Sequence, residues 1–170
     1  MKQSNSYLNQ INILMSALML IFALSVAQPA YSQTTEFQTL QSLSTDWAWG
    51  WEAFTISGTS YLIAANGKGE SKLYKWNGTD FTEFRTIPTG NCRSWTFFAF
   101  NNGSYLAAAN AEDGASVYRW SGTDFEKIQS ISGNSYGCEF FSIGKDTYLA
   151  VANVSKSGSK IYEWNGSAFE

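Results

Sequence analysis

The stretch LYKWNGTDF, Leu73 to Phe81, returns as VYRWSGTDF from Val117 and as IYEWNGSAF from Ile161, each 44 residues after the last. A fixed interval of that size marks one supersecondary unit written repeatedly, and it settles the architecture before any local reading begins. The match extends both ways. LIAAN (Leu62 to Asn66) is answered by LAAAN (Leu106 to Asn110) and LAVAN (Leu149 to Asn153), and Phe54 by Phe98 and Phe141. Phe81 maps forward to Phe125 and Phe169 and back to Phe37. One residue slips in the third copy.

Inside a unit the period is two. In SKLYKWN, Tyr74 and Trp76 face one way while Leu73 and Lys75 face the other, which is strand geometry. Four runs fit one unit: Trp51 to Ser57, Ser60 to Asn66, Ser71 to Asn77 and Phe81 to Ile87. Gly58-Thr59, Gly67 to Glu70 and Gly78 to Asp80 separate them with turn residues. Four short antiparallel strands every 40 to 50 residues are the pattern of a β-propeller blade. A blade lies between two neighbours, so both of its faces must be apolar. The expected fold is all-β, with three four-stranded antiparallel repeats at 37–80, 81–124 and 125–168.

Those residues resemble the EPTP repeat, also called EAR for epilepsy-associated repeat. The likeness rests on W-x-x-F-x-I, Y-L-A-x-A-N and S-x-I-Y-x-W-x-G-x-x-F, and it spans Phe37 to Phe169. The resemblance implies blades of a seven-bladed propeller in secreted or cell-surface proteins that bind other proteins and catalyse nothing. Many such repeats carry Asp before the Trp of the innermost strand. Here Gly50, Ser94 and Gly137 stand there and Cys138 replaces the third Trp, so no channel-lining carboxylate or cation site carries over.

The start of the chain is different in kind. Lys2 precedes the apolar run Ile13 to Ala27, followed by Pro29 and the exit Ala30-Tyr31-Ser32. Fifteen apolar residues fall short of the roughly 20 needed to span a bilayer. The pattern reads as a secretory signal peptide over 1–32, cleaved after Ser32, leaving a partial propeller at 33–170. The expected location is extracellular, or periplasmic in a bacterium, with no membrane span in the mature chain.

Three units raise a packing question. Phe37 to Leu43 reads as the fourth strand of a sheet whose other strands do not precede it, and the third unit stops as its own fourth strand begins. An open arc leaves two faces bare, at about 450 to 750 Å² each for three aromatic side chains, as much as or more than a soluble monomer usually exposes. Two resolutions follow. The chain is a piece of a longer protein, which the unfinished motif favours, or copies self-associate through the bare faces into a shared ring, two chains giving six blades.

Catalytic chemistry finds little support. The chain has no His, which removes Ser-His-Asp and Cys-His arrangements and the usual zinc ligands. Glu52 and Glu139 share a repeat position and are the single candidate carboxylate pair for glycoside hydrolysis; Thr96 holds that position in the middle unit. No EF-hand-type calcium loop and no Gly-rich phosphate cradle occurs, so no metal or cofactor is expected. Basic residues are scattered, which argues against nucleic acid. Asn77, Asn102, Asn153 and Asn165 begin glycan-acceptor triplets, three of them in turns that need Asn for their own geometry. Cys92 and Cys138 occupy different repeat positions; they form either a disulfide, which an exported chain permits, or two buried free thiols.

What varies between units is the loop leading into each first strand: Ser44 to Gly50, Pro88 to Ser94 and Ser132 to Gly137. Trp47, Trp49, Arg93 and Tyr136 stand there, with the last three aligned across the units. These residue types dominate binding hot spots. The expected function is recognition of an extracellular protein by this rim; the alternative is a glycan, since aromatic rims also stack on sugars.

Overall fold

The computed structural model describes residues 37–156 and 158–170, so the expected signal peptide, 1–32, lies outside the described residues. All strands belong to the unit Gln41–Glu170. Sheet 1 comprises β1 (Ala48–Ile56), β2 (Thr59–Asn66), β3 (Ser71–Trp76) and β4 (Phe81–Ile87). Sheet 2 comprises β5 (Cys92–Phe100), β6 (Gly103–Asn110), β7 (Gly114–Trp120) and β8 (Phe125–Ile131). Sheet 3 comprises β9 (Ser135–Ile143), β10 (Asp146–Asn153) and β11 (Lys160–Glu163). Every pairing is antiparallel between chain neighbours. No helix occurs among the described residues.

The third sheet has three strands, and a single bridge from Trp164 to Phe169 marks where a fourth begins, as the unfinished motif implied. One expectation needs correction. Phe37 to Leu43 forms no strand, although its pattern matches β4 and β8. Strand propensity is realised only on a ladder partner, and among the described residues this segment has none. The sequence units are also out of phase with the sheets, because the second and third repeats open with β4 and β8, the last strands of the sheets before them.

Turn chemistry is local. Ser57 and Gly58 join β1 to β2 with φ of 49° and 78°. Asn101 and Asn102 join β5 to β6 with φ of 48° and 59°. Both central residues are left-handed, the two-residue hairpin turn whose twist suits flanking strands. Asn77 and Asn165 each accept N–H bonds from two following residues through Oδ1, so turn geometry accounts for these two Asn-Gly positions.

Packing then joins the sheets face to face. One core cluster takes Phe54, Tyr61, Ile63 and Leu73 from sheet 1 and Trp95, Leu106, Tyr118 and Phe125 from sheet 2. The next takes Phe98, Tyr105, Ala107 and Val117 from sheet 2, with Cys138, Leu149 and Val151 from sheet 3 and Phe169 just after it. Neighbours in one strand, such as Leu106 and Ala107 or Tyr118 and Val117, serve opposite clusters. The middle sheet is therefore apolar on both faces, as the period of two requires.

Ring stacking repeats with the sheets. Phe54 stacks on Phe97 at 4.6 Å, and Phe98 stacks on Phe140 at 4.3 Å. A polar clasp accompanies it. The Gln129 amide donates to the Phe169 carbonyl at 2.7 Å and accepts from the Phe169 N–H at 2.9 Å. Gln41 makes the same pair of bonds to Phe81, at 2.7 and 2.9 Å. Arg85 occupies the intervening repeat position and instead pairs with Asp124 at 3.5 Å.

The packing and the clasp should separate in stability measurements. Leu73→Ala empties a fully buried site and should cost about 2–5 kcal/mol. Gln129→Ala strips two hydrogen bonds from a part-buried residue and should cost about 1–2 kcal/mol. Urea unfolding of both variants checks the order; a larger loss in Gln129→Ala would reverse the assignment of the dominant force.

Candidate functional site

The rim is assembled by hydrogen bonds that repeat in each sheet. The Gly67 N–H donates to the Trp47 carbonyl at 3.0 Å, Ala111 to Asn91 at 2.9 Å and Val154 to Asn134 at 3.0 Å. Each bond ties the loop ahead of a first strand to the loop after the second strand of the same sheet. The loop ahead of the first strand and the loop after the second therefore share one rim.

Trp49, Arg93 and Tyr136 have a common local origin. In β1 the pairing jumps from Ala48 to Gly50, in β5 from Cys92 to Ser94 and in β9 from Ser135 to Gly137. The skipped residue is in each case the expected site residue. A β-bulge leaves one residue out of the ladder and re-aims its side chain, and bulges gather beside functional sites. Strand periodicity alone does not reveal them.

The three bulged side chains meet. The Arg93 guanidinium lies 4.0 Å from the Trp49 ring centre and 5.1 Å from that of Tyr136. Trp49 and Tyr136 are exposed, at 60% and 45%. Trp47 is separate from this stack: its ring carries the Lys68 ammonium at 3.7 Å. Its φ of 56° is a left-handed conformation that costs a bulky residue strain. Lys68 was not singled out by sequence reasoning, and its place in a variable loop gave no signal.

Gly67 forms the seat of Trp49. A Cβ on Gly67 would fall 2.4 Å from the indole Nε1, so only glycine lets the ring lie there. Trp47, Trp49, Lys68, Asn91, Arg93, Glu112 and Asp113 line an open cavity of about 440 Å³. Among the described residues Arg93 enters no ion pair. Its Nε is buried without a hydrogen-bond partner, so the stacked rings position this cation.

The asparagines closing each second strand reveal a variation beneath the rim. Asn153 faces Ser135 in the ladder and accepts its hydroxyl at 2.8 Å. Asn66 and Asn110 face Ala48 and Cys92, which offer no such donor. Their Oδ1 atoms are accordingly buried and unpartnered.

Cys92 and Cys138 are free and buried, the second of the two options left open by sequence. Each thiol is already engaged, Cys92 with the Ser94 carbonyl at 3.5 Å and Cys138 with the Ala107 carbonyl at 3.3 Å. Burial pushes both thiols up to about 12, which keeps them protonated and unreactive.

Glu139 does come near enough for its charge to help raise the Glu52 carboxyl. Glu52, however, is spent on structure: its Oε1 accepts the Phe97 N–H at 2.9 Å, joining β1 to β5. No group of three or more potential metal ligands occurs among the described residues.

The EPTP domain model matches residues 36–77, 80–121 and 124–165, in the phase the repeats show. The chain belongs to the EPTP family. No relative among curated proteins matches it. In this EPTP protein the second and third family matches begin with the closing strand of one sheet and continue through three strands of the next, so consecutive sheets share repeats covalently.

Burial holds the Glu52 carboxyl above its ordinary value of 4.5; the Phe97 hydrogen bond opposes the rise and the Glu139 charge adds to it. A carboxyl raised on folding stabilises below its unfolded pKa, and that contribution is lost as pH rises through the folded value. Glu52→Gln keeps the acceptor and removes the charge. Its melting temperature should exceed the parent's at pH 7, with the gap closing below pH 4.5. A gap independent of pH in a thermal series would contradict this.

Proposed function

We propose that this EPTP chain forms three consecutive blades of a β-propeller and serves as an exported, non-catalytic module that recognises an extracellular protein through its rim. The carrying observation is the Trp49–Arg93–Tyr136 stack, built from one bulge residue of each sheet. Two exposed aromatics bracketing an arginine without an ion pair combine apolar contact area with a charge that a partner's carboxylate can satisfy. Aromatic and arginine anchors of this kind carry most of the free energy in protein interfaces.

Glycan binding is less well supported by the same geometry. Sugar stacking needs a free aromatic face, whereas Lys68 covers one face of Trp47 and Arg93 lies against Trp49 and Tyr136. A catalytic role is disfavoured because Glu52 already binds the Phe97 backbone.

The test is a paired screen of the chain against an array of secreted and cell-surface proteins and against a glycan array. The expected result is a protein hit whose binding falls at least about 100-fold, roughly 3 kcal/mol, in W49A/R93A/Y136A, with an unchanged far-UV spectrum. Undiminished binding by the triple variant would remove the site, and a specific sugar hit in place of a protein would replace the reading.

A further inference from the structure

The seam between sheets 1 and 2 and the seam between sheets 2 and 3 share one aromatic frame. Tyr61 meets Trp120 at 6.0 Å and 57°, and Tyr105 meets Trp164 at 6.2 Å and 61°. Phe125 packs on Trp120 at 5.0 Å, and Phe169 on Trp164 at 5.1 Å. Each seam therefore serves as a control for the other. The outermost strand breaks the match.

The break lies at a bulge. Pairing in β4 jumps from Glu83 to Arg85 and in β8 from Lys127 to Gln129, which leaves Phe84 and Ile128 out of the ladder. These two hold the same repeat position. Phe84 turns onto the first seam, 5.9 Å from Tyr61, and packs against its core. Two cations cover its ring, the Lys75 ammonium at 5.7 Å and the Arg85 guanidinium at 4.5 Å. Ile128 lies outside the second core and is 43% exposed.

Beside Ile128 the second seam holds a cavity of about 330 Å³. Phe100, Tyr105 and Trp164 wall it, and Arg119 and Ile128 share the lining. Phe100 stands where sheet 1 has Ile56. Its ring lies 4.9 Å from Tyr105 and 5.3 Å from Trp164, so it thickens the wall and leaves the space open. Arg119 is the counterpart of Lys75, and among the described residues it enters no ion pair. The frame that seats a ring beneath a cation in the first seam thus recurs in the second without the ring. Asn101, from the turn between β5 and β6, also lines the cavity, which places it at the end of the sheets away from the rim.

We propose that this cavity is a second recognition site, separate from the rim, which takes a phenylalanine side chain from a partner protein. The incoming ring lies beneath Arg119 as Phe84 lies beneath Lys75, with Tyr105 and Trp164 against its edges. Ring–ring contact and the cation–π pair supply the attraction. An aromatic side chain filling such a pocket is a frequent anchor of protein interfaces. Occupancy here leaves the rim free, so the proposal stands apart from the reading of the Trp49–Arg93–Tyr136 stack.

The probe is N-acetyl-phenylalanine methylamide, titrated into the full chain. The readout is the Trp164 indole N–H signal in NMR spectra, assigned with Trp164→Phe. Binding should fall near about 1 mM, as expected for a fragment of this size. The cyclohexylalanine analogue, whose ring has no π face, should bind more weakly. Ile128→Phe supplies the ring from the chain itself; it should abolish binding and keep or raise the melting temperature. Arg119→Gln changes an exposed residue, so it reports even if Ile128→Phe does not fold. It should weaken phenylalanine binding about 2–5-fold and leave the cyclohexyl probe unaffected. An unmoved Trp164 signal overturns the proposal, as do equal affinities for the two probes. So does full binding by either a folded Ile128→Phe chain or Arg119→Gln.

Discussion

Stacked aromatic rings between like faces are the constraint on which the molecule depends. Phe54 against Phe97 and Phe98 against Phe140 lie nearly parallel, at interplanar angles of 9° and 3°. Neither ring of a pair belongs to the same sheet as its partner, and none of these sheets has a second hydrophobic layer of its own. A four-stranded sheet this short is stable when a neighbour covers it, so the rings that recruit the neighbour also license the strands. Trp120 on Tyr61 and Trp164 on Tyr105 extend the same seam outward.

Rim geometry follows from that seam. With sheet spacing fixed by Phe–Phe contacts, the bulges of β1, β5 and β9 fall side by side, and an arginine from the middle sheet reaches aromatics from both neighbours. No loop has to fold into a pocket for this to happen. The repeated rim bonds from Gly67, Ala111 and Val154 hold each pair of loops while leaving the bulged side chains unladdered. Variation at the rim is then carried by the bulge residue and its loops: Trp over glycine, Arg between rings, Tyr at the end. A scaffold that repeats and a rim that does not are separable because bulges decouple one side chain from the ladder.

Much of this was legible in the chain. The interval between Leu73, Val117 and Ile161 gave the units, and period-two alternation around Tyr74 and Trp76 gave strands with two apolar faces. The aligned positions Trp49, Arg93 and Tyr136 were visible, because alignment to a repeat needs no structure. Their contact was not visible, since it depends on bulges that shift the register by one residue without changing composition. Lys68 was hidden for a related reason: a lysine in a glycine-rich turn looks like any solvated charge until the Trp47 ring is placed beneath it. Phe37 to Leu43 shows the opposite error, a strand pattern without a partner to make it a strand. The fate of Cys92 and Cys138 rested on which carbonyl each thiol met, which spacing does not encode.

The most direct measurement is a double-mutant cycle on Phe54→Ala and Phe97→Ala, followed by urea unfolding. If the stacked pair joins the first two sheets, the two losses should fail to add by about 0.5–1.5 kcal/mol, the coupling of a contacting aromatic pair. Strict additivity would show that these rings do not touch in solution, and the face-to-face arrangement of the sheets would fall with them.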